Sequence, residues 1–220
     1  MESQVKMDNY IDYIFNVYSN AQEMLIDRKY TDIVSGKYCT TFEEFEQNYF
    51  QYGTLDKDAM CFVRMKTEDT SLKGKRKKDP SFISVYFTTE ESIGIKHIVT
   101  VSEKMIASKI SHCVLIYPKN ITSSAKKYME KTAKLKIEAF SEEDLSINIT
   151  KHVMMPQHEV LTTSEKKQFL SNSHLKEEQL PKISANDPVA KYYGMRRGDV
   201  VKSTRNSDTS GRSISFRLCT

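Results

Sequence analysis

Apolar residues recur at helical intervals between Asn9 and Arg28. Ile11, Ile14, Phe15, Tyr18, Leu25 and Ile26 fall near one face, with Asp12, Asn16, Glu23 and Asp27 opposite. That period predicts an amphipathic helix packed on a core. Thr41-x-x-Glu44 has the form of a capping box, which places Phe42, Phe45 and Tyr49 on a second, short helix. Strand-like runs follow at Cys61–Met65 and Phe82–Phe87. Ile93–Ile110 returns to helical spacing through Ile98, Val101, Met105, Ile106 and Ile110, although Ile98–Val101 (IVTV) would also suit the start of a strand. His112–Tyr117 is an apolar strand ended by Pro118, and Thr122–Thr132 opens with hydroxyl caps and reads as a helix. Lys134–Phe140 alternates at period two as a strand. Strands separated by helices predict an α/β layer, with helices covering a mostly parallel sheet.

The acidic run Ser141-Glu142-Glu143-Asp144 interrupts these patterns and is read as a solvated break. It divides the chain into residues 1–143 and 144–220. Beyond it, Ile147–Ile149 is expected as a short strand, and Thr163 or Ser164 as the cap of a helix containing Lys166–Leu170. Between Gln179 and Arg217 the local signals agree with one another. Asp187 suits a helix cap, Pro188 the first helical position, and Gly194 a left-handed helix end. Gly198-Asp199 turns the chain into Val200-Val201. Past a loop at Asn206–Gly211, Ile214, Phe216 and Leu218 alternate with Ser213, Ser215 and Arg217. A short helix and a β-hairpin make the second domain small and α+β.

Charge sharpens the division. The net charge of +4 hides an asymmetry: residues 146–220 hold 12 Lys and Arg against 7 Asp and Glu, whereas the remainder holds 21 against 22. The basic excess belongs to the C-terminal third and suits an acidic partner, nucleic acid or protein. No run approaches ~18 apolar residues, so no membrane-spanning helix is expected, and Met1–Asp12 lacks the apolar centre of a signal peptide. Cys39, Cys61, Cys113 and Cys219 are scattered without a C-x-x-C pair, the pattern of free thiols in a reducing compartment.

Candidate chemistry is thin. There is no P-loop, G-x-G-x-x-G, G-x-S-x-G or H-E-x-x-H pattern. His152 and His158 are six residues apart across Pro156, with no matching cysteines or carboxylates for a metal. Helix capping accounts better for Asp187 than catalysis, and a turn accounts for Ser207-Asp208-Thr209. Lys73–Lys78 is a nuclear-import signal, a phosphate patch or, more simply, a solvated loop. Tyr117–Lys127 is the better site candidate. Small polar residues there precede a helix start beside Lys119, Lys126 and Lys127, an arrangement that receives phosphate. On physics alone, an ordinary β–α connection remains the simpler account.

Several motifs occur together, in one order: His152, Pro156 and His158, Glu165-Lys166, QLPKI at Gln179–Ile183, DPVAKYYG at Asp187–Gly194, RRGDVVK at Arg196–Lys202, Arg205, and SDTSGR at Ser207–Arg212. In these the chain resembles the fifth subunit shared by eukaryotic RNA polymerases I, II and III, whose shorter archaeal counterpart consists essentially of the C-terminal module. INITKH at Ile147–His152, KNITSSAKK at Lys119–Lys127 and MLIDRKY at Met24–Tyr30 extend the resemblance more weakly. Ser123 stands where the family loop usually carries proline.

The resemblance implies an N-terminal jaw domain beside downstream duplex DNA, and a C-terminal domain that assembles onto the largest polymerase subunit and neighbouring small subunits. It implies one copy in a nuclear hetero-multimer, and no membrane. Catalysis and its magnesium would belong to the two largest subunits, so no catalytic residue, cofactor or metal ligand is expected here. The DNA-proximal residues it implies are Asn120, Ile121, Thr122, Ser123, Ser124, Lys126 and Lys127, with sequence-independent contact. The assembly residues are His152, Pro156, His158, Gln179, Leu180, Pro181, Asp187, Pro188, Tyr192, Gly194, Arg197, Gly198, Arg205, Arg212 and Arg217. The alternative is a free-standing nucleic-acid-binding protein using the basic C-terminal third.

Overall fold

A computed structural model describes residues 2–37, 39–51, 54–66, 82–132, 135–207 and 211–220. Lys73–Lys78, Asp208 and Thr209 lie outside the described residues. Two units divide between Ile147 and Asn148.

In the first unit, α1 (Glu2–Asp27) buries Ile11, Ile14, Val17, Tyr18, Ala21, Met24 and Leu25, the 3–4 spacing of one helix face. Lys29 leaves the helix at φ 70°, and the Tyr30 N–H donates to the Leu25 carbonyl at 2.9 Å. β1 (Asp32–Ser35) follows, then α2 (Phe42–Tyr49), where the Thr41 hydroxyl accepts from the Glu44 N–H. β2 (Phe50–Gln51) and β3 (Thr54–Leu55) form a small antiparallel pair. Next come β4 (Phe62–Met65), β5 (Phe82–Phe87), β6 (Ser92–Ile93), α3 (Ile95–Ala107), β7 (His112–Tyr117), β8 (Asn120–Ile121), α4 (Ser123–Lys131), β9 (Lys136–Ser141) and α5 (Glu142–Ser146).

The five-stranded sheet has the order β1-β4-β5-β7-β9. β5, β7 and β9 are parallel, while β1–β4 and β4–β5 are antiparallel, so the sheet is mixed rather than mostly parallel. The helices α3 and α4 return the chain between the parallel strands. The sequence has no helical pattern between Met65 and Phe82, and those neighbouring strands pair antiparallel. β7 is buried over His112–Ile116, as suits a strand covered on both faces. One face meets α1 and α2, where Tyr18 packs its ring 5.3–6.0 Å from those of Phe45, Tyr49, Phe62 and Phe87. On the other, Ile98, Val101 and Met105 of α3 and Ala125 of α4 pack on Cys113 and Leu115.

The acidic run leaves Glu143 and Asp144 exposed but starts a helix rather than an open break. Ser141 and Asp144 form a reciprocal capping box, Leu145 is buried, and the Glu142 carboxylate is buried against the Lys57 ammonium at 2.6 Å. Burial of the carboxylate depends on a lysine 85 residues away, which no local pattern announces. Ile147–Ile149 forms no strand either. The Asn148 side chain caps a 3₁₀ turn at Ile149–Lys151.

In the second unit, β10 (Gln157–Val160) precedes α6 (Thr163–Ser173), capped by Thr162 rather than by Thr163 or Ser164. β11 (Lys182–Ile183), α7 (Pro188–Tyr192), β12 (Val200–Ser207) and β13 (Gly211–Cys219) complete it. The sheet order is β10-β12-β13-β11, with β11 parallel to β13. Opposite faces carry separate clusters. Val201, Cys219 and Ile183 pack with Val189, Ala190 and Met195 around α7, and Val200, Leu218 and Leu180 pack with Phe169 and Leu170 of α6.

Candidate functional site

The Asn120–Lys127 loop is held by a second pair of strands. β6 and β8 run parallel, with Ser92 opposite Asn120 and Ile93 opposite Ile121. One residue further along each strand a helix begins: Gly94 precedes α3 and Thr122 precedes α4. The parallel ladder therefore sets two helix starts side by side. Thr122 staples them together. Its N–H and its hydroxyl each donate to the Ile93 carbonyl at 3.1 Å, and its hydroxyl oxygen accepts from the Ala125 N–H at 3.3 Å.

The seven residues expected to lie near DNA divide by direction. Asn120, Ser123, Ser124, Lys126 and Lys127 are exposed. Ile121 packs on the α3/α4 core beside buried Ala125, and Thr122 is half-buried in its staple. Lys119 is exposed but pairs with Glu91 at 2.8 Å. First-turn amides have no partner within their own helix, and the helix dipole places partial positive charge there. Two such ends with Lys126 and Lys127 beside them suit a phosphate in any sequence context.

In the second unit the candidate assembly residues also separate into two groups. Asp187 accepts from the Val189 N–H at 2.9 Å, Pro188 occupies the first turn of α7, and Gly194 and Gly198 have φ of 61° and 89°. Leu180 is buried, and the Pro181 carbonyl accepts from the Leu218 N–H at 2.8 Å. Tyr192 is buried, with its hydroxyl accepting from Asn148 at 3.3 Å. Half-buried His158 faces the Tyr193 ring at 6.3 Å, and burial holds its pKa below the usual histidine value. These residues build the unit.

Facing outward are His152, Gln179, Arg197, Arg205, Arg212 and Arg217, Pro181 and Pro188 are exposed as well, and Pro156 is half-buried. His152 Nδ1 accepts from the Met154 N–H at 3.2 Å and shapes the turn. The hairpin register puts Arg205 and Arg217 on the face that carries Val201, and Arg212 on the opposite one. Sequence reasoning missed the exposure of Val153, 97%, and Met154, 83%, and took Ile214, 48% exposed, only as part of the hairpin's apolar alternation. The available signal was the apolar run Val153-Met154-Met155 between His152 and Pro156, with no helical or strand period. Among the described residues no group of three or more His, Cys, Asp or Glu is placed to hold a metal ion. Cys39, Cys113 and Cys219 are buried and Cys61 half-buried, and burial pushes the Cys61, Cys113 and Cys219 thiols up.

Comparison with known proteins covers both units. Residues 8–105 match the family model described as RNA polymerase Rpb5, N-terminal domain, and residues 147–219 match that described as RNA polymerase Rpb5, C-terminal domain. A Dictyostelium discoideum protein named DNA-directed RNA polymerases I, II, and III subunit rpabc1 is 32% identical over 212 residues, which span 95% of this chain and 98% of that relative. A Caenorhabditis briggsae protein of the corresponding name is 42% identical over 135 residues, covering 61% of this chain and 64% of that relative.

Proposed function

This chain belongs to the Rpb5 family of RNA polymerase subunits, and from that premise we propose that it is a non-catalytic common subunit of DNA-directed RNA polymerases I, II and III, working in the nucleus. The observation that carries the reading is similarity to a shared polymerase subunit over 95% of the chain, through both units. The second unit anchors the chain to the largest subunit and neighbouring small subunits. Exposed Val153, Met154 and Ile214 and the exposed Arg197, Arg205, Arg212 and Arg217 support this, because exposed apolar side chains and arginines are both typical of protein interfaces. The first unit forms part of the lower jaw, with Ser123, Ser124, Lys126 and Lys127 turned toward downstream duplex DNA. The paired helix starts support a phosphate contact without base readout.

Purification through a tag on this chain, followed by mass spectrometry, is expected to return a many-subunit polymerase; recovery of the native protein only as a free monomer refutes the assignment. Within the assembled polymerase, replacing Lys126 and Lys127 by alanine is expected to weaken retention of downstream DNA while leaving catalysis intact. The slope of log affinity against log salt should flatten by ~2, about one per lost phosphate contact. An unchanged slope makes the loop scaffolding. Strong salt-sensitive DNA binding by the free chain, lost on replacing its C-terminal arginines, favours a free-standing nucleic-acid-binding protein instead.

A further inference from the structure

The short helix α5 is tied to the first unit from three sides. At its start, the Glu142 carboxylate meets the Lys57 ammonium at 2.6 Å, with each side chain only 5% exposed. Lys57 comes from the turn between β3 and β4, itself anchored where the Asp56 N–H donates to the Tyr49 carbonyl at 2.9 Å; the Tyr10 ring of α1 lies 5.7 Å from the Lys57 ammonium. At the other end of α5, the Asn20 side-chain amide of α1 donates to the Leu145 carbonyl at 2.8 Å and the Ser146 carbonyl at 3.2 Å, capping groups a helix end leaves without partners. Between these ties the Leu145 side chain is buried.

Two residues later the second unit has its own first ties. Asn148 accepts from the Thr150 N–H at 3.0 Å and donates to the Tyr192 hydroxyl at 3.3 Å. Ile147 lies between them, extended at φ −125° and ψ 128°, with its side chain 74% exposed. A five-residue helix has too few hydrogen bonds to persist unaided. A buried ion pair adds little net stability, yet it penalises any position of α5 that separates the charges.

We propose that Lys57, Glu142 and Asn20 are positioning residues that latch α5 onto the first unit, so that the chain leaves that unit at Ile147. The latch extends the rigid body of the first unit to Ser146. Its use, keeping a DNA-facing unit ordered up to the point where the chain leaves it, rests on the function proposed above. The latch is tested on the free full-length chain, so its failure is distinguishable from failure of the polymerase assignment.

The measurement is amide residual dipolar couplings together with hydrogen exchange. In the native chain, couplings of Glu142–Ser146 should fit the alignment tensor of β5, β7 and β9, and those from Asn148 onward the tensor of the second unit. Glu142→Leu leaves the Lys57 ammonium buried without its counter-charge. The α5 amides should then exchange at least about tenfold faster and their couplings depart from the first-unit tensor, while those of β7 stay on it. Adding Lys57→Met to Glu142→Leu should restore the native couplings. Should the single variant fail to fold, Asn20→Ala is expected to loosen the far end of α5 with the same readout. Native α5 couplings that do not fit the first unit, unchanged couplings in the variants that fold, or no restoration in the double variant overturn the latch.

Discussion

Ser123→Pro should stabilise the first unit, and the reason is local geometry. Ser123 is the first residue of α4, where a helix has no internal use for the N–H and the fixed φ of proline is already suitable. The preceding Thr122 has φ −68° and ψ 147°, the extended region that a residue before proline prefers. The bonds that hold the turn involve other groups: Thr122 N–H and hydroxyl to Ile93, Ala125 N–H to the Thr122 hydroxyl, and Lys126 N–H to the Thr122 carbonyl at 3.1 Å. Proline therefore removes freedom from the unfolded chain without breaking a native contact. Such replacements contribute about 0.4–1 kcal/mol, which raises the melting temperature of a unit this size by ~1–4 °C. Thermal and urea unfolding measure it, with an unchanged urea slope showing that only stability moved. A lower midpoint refutes the reasoning, since it requires a partner for the Ser123 amide or a different helix start. No charge changes, so the salt slope of DNA retention in the assembled polymerase should remain that of the native chain.

Two further outcomes follow from the first unit. Gly36 has φ 97°, and a Cβ there would lie 2.4 Å from Phe62 Cβ, so Gly36→Ala should cost ~2 kcal/mol or more in urea unfolding; a neutral result refutes the close approach. Burial favours a neutral Glu138, but Arg28 at 2.7 Å, the hydrogen bond from His112 and Lys136 outweigh it and hold the carboxyl well below its usual 4.5, while burial lowers His112 despite Glu138. Both folded-state values are depressed, so this stability is present above the unfolded values and lost on acidification, with His112 acting below pH 6.5 and Glu138 below pH 4.5. Glu138→Gln should cost ~3 kcal/mol at neutral pH by leaving the buried Arg28 guanidinium without its carboxylate, and should flatten the acid limb of stability against pH; an acid limb identical to that of the native chain excludes Glu138 as its source.

The sequence by itself determined the elements whose signals are short-range. Phe82–Phe87 and His112–Tyr117 are strands over the expected residues, Thr41 caps α2, and Asp187, Pro188 and Gly194 start and end α7 as their side chains and backbone freedom require. The order of the motifs pointed to the family, and the hydroxyl-rich loop to a helix start. What it could not determine was decided by partners far along the chain. β1 has no alternation and exists because β4 pairs with it. Strand direction in half of the sheet depends on which neighbours meet, and Thr122 becomes a staple only because β6 lies beside β8. Glu142 reads as a solvated charge until Lys57, 85 residues away, encloses it, and Glu138 takes its Arg28 partner from 110 residues away. Burying a carboxylate is unfavourable until its counter-charge arrives, and in this chain only tertiary structure brings the two together.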